Sequence, residues 1–153
     1  MLIELFHGPR SELLPFFEQA DDSSLQIACY IELGEVFVAR DGQRLLGHAQ
    51  LVVTASAGWE LKSLAVIEAE QGRGIGSALV RAALARAFDA GAERVLVSTA
   101  TADIDNLRFY QRHGFRLERV ERDAFTLERG YRAGLESDGI AVRDRVWLSI
   151  ARS

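Results

Sequence analysis

Cysteine, proline and histidine are scarce in this 153-residue chain, with one, two and three copies respectively. A lone Cys29 forms no internal disulfide, and with His7, His48 and His113 scattered along the chain no metal-ligand spacing arises. Neither Pro9 nor Pro15 marks a linker. No apolar run approaches the roughly 18 residues that a membrane-spanning helix needs. Met1-Leu2-Ile3-Glu4 places no basic segment ahead of an apolar one, as a signal peptide would. A cytoplasmic location with no membrane partner is the expectation. Basic charge also falls short: 18 Lys and Arg stand against 22 Asp and Glu, a net charge of −4. A nucleic-acid footprint needs the opposite balance. Lys62 is the one lysine, a bias that genome base composition explains and that carries no function.

What is present suits one ordinary globular domain over residues 1–153. The chain is 48% hydrophobic and 26% charged, and a domain of this length buries roughly 70% of the surface its unfolded chain exposes. Residues 1–7 read as a strand. Ser11 to Gln19 and Ser23 to Leu33 read as helices, the second opened by an Asp22/Ser23 cap and closed by Gly34. Glu35 to Arg40, an Asp41-Gly42 turn and Arg44 to Thr54 make a hairpin. Beyond Ala57-Gly58, Trp59 to Ile67 adds a third strand. The period then changes. Ile75, Leu79, Val80, Ala83, Leu84, Ala87 and Phe88 form a helical stripe within Gly74 to Asp89. Arg94 to Ser98 is a strand, Asp103 to His113 a helix stopped by Gly114, and Phe115 to Val120 a strand. Glu121 to Asp138 is irregular, and Val142 to Ile150 is a last strand. The predicted fold is α/β (α+β): a mixed, largely antiparallel sheet of six or seven strands flanked by helices.

The most informative stretch is Gln71-Gly72-Arg73-Gly74-Ile75-Gly76-Ser77, between a strand and a long helix. Amides at a helix start lack intrahelical partners and carry the positive end of the helix dipole. Glycines let a phosphate approach them closely, so the turn is an anion cradle. A Walker A loop is excluded because no Gly-Lys-Ser/Thr follows. A dinucleotide fingerprint is excluded because Ser77 stands where its last glycine belongs.

Gln71 to Gly76 resembles the Gln/Arg-x-x-Gly-x-Gly/Ala signature of the GNAT superfamily of acyl-CoA-dependent N-acetyltransferases. About forty residues on, Tyr110-Gln111-Arg112-His113-Gly114-Phe115 resembles its second signature, Tyr-x-x-x-Gly-Phe. The resemblance implies the GNAT fold, with acetyl-CoA as co-substrate and no metal. It assigns the coenzyme pyrophosphate to the backbone of Gln71, Gly72, Arg73, Gly74, Ile75 and Gly76, with the Ser77 hydroxyl. Arg73 either pairs with a phosphate or stays solvated. The resemblance lays the pantetheine arm along Ala65, Val66 and Ile67, with the Val66 N–H polarising the thioester carbonyl. Tyr110 takes the role of general acid toward the leaving thiolate. Many members carry Asn at the position of Asp103. Here Asp103 either caps its helix or meets the coenzyme arm, and Asn106, on the same face as Tyr110, can substitute.

Strand alternation places Glu60 on the same face as Val66. Its Trp59-Glu60-Leu61 setting is similar to that of members in which Glu binds or deprotonates the amine; the other reading is an exposed cross-strand pair. Glu68 and Glu70 read as solvated, and His113 as a cation suited to a helix C-terminus. Asp123, Phe125 and Tyr131, in the long irregular segment, are candidate substrate-pocket residues. The function this implies is acetyl transfer to a primary amine of a small molecule or peptide, by direct attack. The alternative is a catalytically inactive acyl-CoA-binding module of the same fold. Family habit also allows a homodimer through the last strands.

Overall fold

Apolar residues on both sides of the central strands let one sheet bury both of its faces. The computed structural model describes residues 1–56 and 58–153. The Ala57 part of the Ala57-Gly58 turn lies outside the described residues. In chain order the elements are β1 (Leu2–Leu5), α1 (Leu14–Ala20), α2 (Ser24–Tyr30), β2 (Glu35–Asp41), β3 (Arg44–Thr54), β4 (Gly58–Val66), α3 (Ile75–Asp89), β5 (Arg94–Ala100), α4 (Ile104–Arg112), β6 (Arg116–Glu121), the short pair β7 (Glu136–Ser137) and β8 (Ile140–Ala141), and β9 (Arg145–Ala151). Seven strands form one sheet in the order β1-β2-β3-β4-β5-β9-β6. Among the described residues only β4 and β5 run parallel, joined by α3 as crossover. The predicted mixed, largely antiparallel sheet is therefore present, with β9 inserted between β5 and β6.

Local chemistry explains most boundaries. Asp41 pairs with Arg44, so the hairpin loop is Gly42-Gln43, one residue later than the expected turn. The helix expected over Ser11 to Gln19 divides into a 3-10 turn at Arg10–Leu13 and then α1, with Pro15 in its first turn, where a missing N–H costs nothing. Ser23 caps α2 as expected, its Oγ accepting from the Gln26 N–H at 3.1 Å. That helix stops early, and Arg10 donates to the carbonyls of Ile31, Leu33 and Gly34 beyond it. Gly34 is obligatory there: at φ +59 a Cβ would lie 2.1 Å from the Leu51 carbonyl oxygen.

Two cores cover the two faces. Leu79, Val80, Ala83 and Ala87 of α3 pack on Leu61, Val66, Val95, Val97 and Leu148. Phe16, Phe17, Ile27 and Tyr30 of α1 and α2 pack on Val36, Val38 and Ala65. Each Val, Leu, Ile and Phe among them contributes about 1.5–3 kcal/mol when fully buried. The function-bearing feature is where this order fails. β4 pairs with β5 only through Trp59, Glu60 and Leu61. Beyond Leu61 and Val97 the two strands part, and a cleft of about 840 Å³ opens between them.

Candidate active site

One end of the cleft is the α3 N-terminus. Gly72 and Gly74 adopt φ +80 and +83, the left-handed region glycine enters without strain. Nothing lies within 4 Å of a Cβ built at either, so backbone conformation selects these glycines. Among the described residues the amides of 72–77 bond to no other backbone group, and the first helical bond runs from the Ala78 N–H to the Gly74 carbonyl. A row of unpaired N–H groups at the positive end of a 15-residue helix fits a diphosphate. The Gln71 N–H is not among them, because it donates to the Glu68 carbonyl. Gln71 instead sends its side-chain amide to the Val66 carbonyl at 3.0 Å. Glu70 departs from the solvated reading: it lies largely buried and pairs with Arg44 and Arg73, each at 3.2 Å. Arg73 therefore has a carboxylate partner beside the loop.

The open edge of β4 comes next. The Ile67 N–H donates to the Leu46 carbonyl at 2.9 Å. Hydrogen-bonded and non-hydrogen-bonded pairs alternate in an antiparallel ladder, so the backbones of Ser63, Ala65 and Ile67 face β3. Those of Leu64 and Val66 face the gap. Of the three residues expected along the pantetheine arm, Val66 alone offers its N–H there, its carbonyl being taken by Gln71 and Gln19; Ala65 and Ile67 are committed to β3. Leu64, which the sequence reading omitted, shares the Val66 orientation.

From the opposite wall, Tyr110 on α4 lines the cleft. It is buried among Phe109 and Phe115, and no hydrogen bond among the described residues occupies its hydroxyl. Burial, aided by the negative charge of Asp103, pushes its pKa above the usual phenol value, so it holds its proton throughout the neutral range. Asp103 caps α4, accepting from the Asn106 N–H at 3.1 Å. The Asn106 side chain donates to Thr99 Oγ1 at 3.3 Å, and both residues line the cleft. His113 ends α4 with Nδ1 2.8 Å from the Phe109 carbonyl oxygen.

The other end of the cleft lies on the α1–α2 face. A bulge sets it up: Gln50 pairs with Ser63 but Leu51 with Leu61, leaving Lys62 extra in β4. One additional residue reverses the alternation beyond it. Leu61 and Val66 thus join the core under α3, whereas Ala65 joins the core under α1 and α2. Lys62 lies over the Tyr30 ring on that second face, 3.8 Å from Glu60. The expectation that Glu60 and Val66 share a face fails for this reason. Glu60 is buried one layer behind Lys62, and burial raises its pKa, with Lys62 and Arg145 opposing the shift.

Residues 122–135 fold back over this end. Tyr131 donates its hydroxyl to Asp21 Oδ1 at 2.8 Å, and Tyr30 donates to Oδ2 at 2.7 Å. Ser23 Oγ donates to the Arg129 carbonyl at 2.6 Å. Phe125 and Tyr131 line the cleft as expected. Asp123 does not; it is exposed and faces Arg143 at 3.5 Å.

The acetyltransferase (GNAT) family profile matches residues 3–115. The chain belongs to the GNAT acetyltransferase family. The uncharacterized N-acetyltransferase YvbK of Bacillus subtilis strain 168 is 34% identical over 146 residues, 95% of this chain and 93% of its own length. A crystal structure of a Bacillus subtilis acetyltransferase in complex with CoA is similar at TM-score 0.87 and 32% identity, covering 99% of this chain and 98% of that one. The IAA acetyltransferase from Bacillus cereus ATCC 14579 gives TM-score 0.88 at 31% identity, covering 99% of both chains.

Within this GNAT fold, both signature segments reach one cleft, Gly72 to Ser77 from below and Tyr110 from the side. Sequence reasoning missed the pairing of Ser63 with His48, at 2.8 Å between Oγ and Nε2. The two stand 15 positions apart and meet only through β3–β4 registry. His48 is fully buried against Phe16 and Phe17, and desolvation lowers its pKa to about 3. So weak a base does not activate Ser63 as an acyl-accepting nucleophile. Among the described residues no cluster of His, Cys, Asp and Glu can hold a metal ion, and no helix is long and apolar enough to cross a membrane.

Proposed function

We propose that this GNAT enzyme transfers the acetyl group of acetyl-CoA to a primary amine of a small molecule by direct attack. The observation that carries the reading is continuity: the unpaired amides of 72–77, the gap-facing backbone of Leu64 and Val66, and the Tyr110 hydroxyl follow one another along one cleft. The diphosphate takes the loop amides, and Arg73 stays with Glu70. The pantetheine arm adds to β4 as an extra strand, and the Val66 or Leu64 N–H polarises the thioester carbonyl. The neutral amine attacks that carbon, and the carbon–sulfur bond breaks. Tyr110 gives its proton to the departing thiolate, and the proton lost by the amine reaches Glu60, buried behind the cleft wall, through water. Burial supports Glu60 in this role, because a carboxylate with a raised pKa is the better base.

A homodimer through β6 belongs to the same reading: it is an edge strand with Leu117 and Val120 exposed, and light scattering of the purified chain tests it. The activity itself is tested by thiol release from acetyl-CoA against polyamines, amino acids, aminoglycosides and peptide N-termini. Turnover with a small amine is the expected result. Acetyl-CoA binding with no turnover on any class would instead fit an inactive acyl-CoA-binding module.

A further inference from the structure

Arg145 opens β9 beside Ala100 of β5, at the acceptor end of the cleft, with its side chain 20% exposed. A guanidinium presents five donors in one plane. Among the described residues none of them makes a hydrogen bond; the nearest anion is Glu121, 3.7 Å away. Glu121 is already engaged by Arg129 at 2.9 Å and by the Trp147 indole N–H at 3.3 Å. The Arg145 plane instead lies over the Phe125 ring, 5.0 Å from its centroid. These donors are partly shielded from water and line the cleft, so an acceptor supplied there gains charge-assisted hydrogen bonds. Lys62 repeats the pattern on the facing wall: its ammonium lies 4.7 Å over the Tyr30 ring and 3.8 Å from Glu60, with no hydrogen bond among the described residues. The acid on that wall, Asp21, has both oxygens taken by Tyr30 and Tyr131. Asp22 and Glu136 also line this cleft but are solvent-exposed; the shielded charged groups here without a hydrogen bond, Arg145 and Lys62, are both cationic and lie between aromatic walls.

We propose that the acceptor carries a carboxylate, bound by the Arg145 fork with Lys62 beside it. The substrate class is then small amino carboxylates with an apolar body, such as hydrophobic amino acids. The proposal rests on the acetyl-transfer reading and narrows it. Planar, bidentate recognition is what a guanidinium offers a carboxylate, and the apolar body packs on Phe125 and Tyr131.

The test uses matched pairs: phenylalanine, tryptophan and leucine against phenethylamine, tryptamine and isopentylamine. Wild-type enzyme should show kcat/KM at least about tenfold higher for the carboxylated member of each pair, within reach of one buried charge-assisted contact. Arg145→Gln should shrink that ratio about tenfold, with Arg145→Lys intermediate, while the KM for acetyl-CoA holds. Calorimetry of N-acetylphenylalanine and N-acetylphenethylamine on the CoA-loaded protein supplies a readout that needs no turnover. If no amine is acetylated but N-acetylphenylalanine binds in an Arg145-dependent way, the transfer reading fails and the carboxylate site stands. Equal or better turnover of the decarboxylated amines, faster turnover of the phosphonate analogue of phenylalanine, or no preference for N-acetylphenylalanine would overturn the proposal.

Discussion

At the coenzyme end of the cleft, the groups offered are backbone amides from one short run of chain, residues 72–77. At the acceptor end they are side chains carried in from the α1–α2 turn, β4, the 122–135 segment and β9. Amides at a helix start are alike whatever side chains surround them, so the first end needs only glycines in the right conformation. It accepts the part of the substrate pair that never varies. The second end depends on charges and rings converging from four places, and a single change there alters what is recognised.

Substitutions at each end sharpen this contrast. The largest effect belongs to Tyr110→Phe, which removes the acid and should slow transfer about 10²–10⁴-fold with acetyl-CoA binding intact. Stopped-flow or steady-state thiol release measures it, and an unchanged rate would remove Tyr110 from the chemistry. Glu60→Gln should cost about 10²-fold in kcat. Because burial raises the Glu60 pKa, the wild-type rate should climb with pH through a value above the ordinary carboxylate range, as the base loses its proton. The Gln variant should lack that limb in its pH profile.

Gly74→Val forces a β-branched residue to φ +83, which costs about 1–2 kcal/mol of backbone strain. Acetyl-CoA binding should weaken about tenfold or more by calorimetry, and relative preference among acceptor amines should survive. Tyr131→Phe works on the other end. Loss of the bond to Asp21 should cost about 1 kcal/mol in urea unfolding and raise the acceptor KM without moving that of acetyl-CoA.

The last effect, on stability rather than on transfer, concerns His48. Its folded pKa of about 3 lies below the ordinary imidazole value of 6.5, so the unfolded chain binds more protons between those values. Stability should therefore fall as pH drops from about 6.5 toward 3. Urea midpoints measured across that window should slope less in His48→Gln than in the wild type.

The same contrast governs what was legible in the sequence. The glycine loop and the Tyr110 segment are contiguous, and their chemistry follows from spacing alone. The β2–β3–β4 meander and the β4–α3–β5 unit were equally readable, since each strand pairs with the next in the chain. The insertion of β9 between β5 and β6 was not, because it is decided by tertiary packing. Nor was the extra residue at Lys62 visible: a bulge leaves the hydrophobic pattern nearly intact while reversing the faces beyond it. That one residue turned the strand-alternation argument for Glu60 and Val66 wrong. Arg145 and the Ser63–His48 pair carry no local signal, since their partners lie 24 and 15 positions away, and the Tyr131 that closes on Asp21 lies 110 away.

The most direct test of the account is a crystal structure of this chain grown with saturating CoA. It should show pyrophosphate oxygens about 2.7–3.2 Å from the amides of 72–77, with the pantetheine arm beside Leu64 and Val66 and the sulfur near the Tyr110 hydroxyl. CoA bound elsewhere, or an empty loop at saturation, would contradict it.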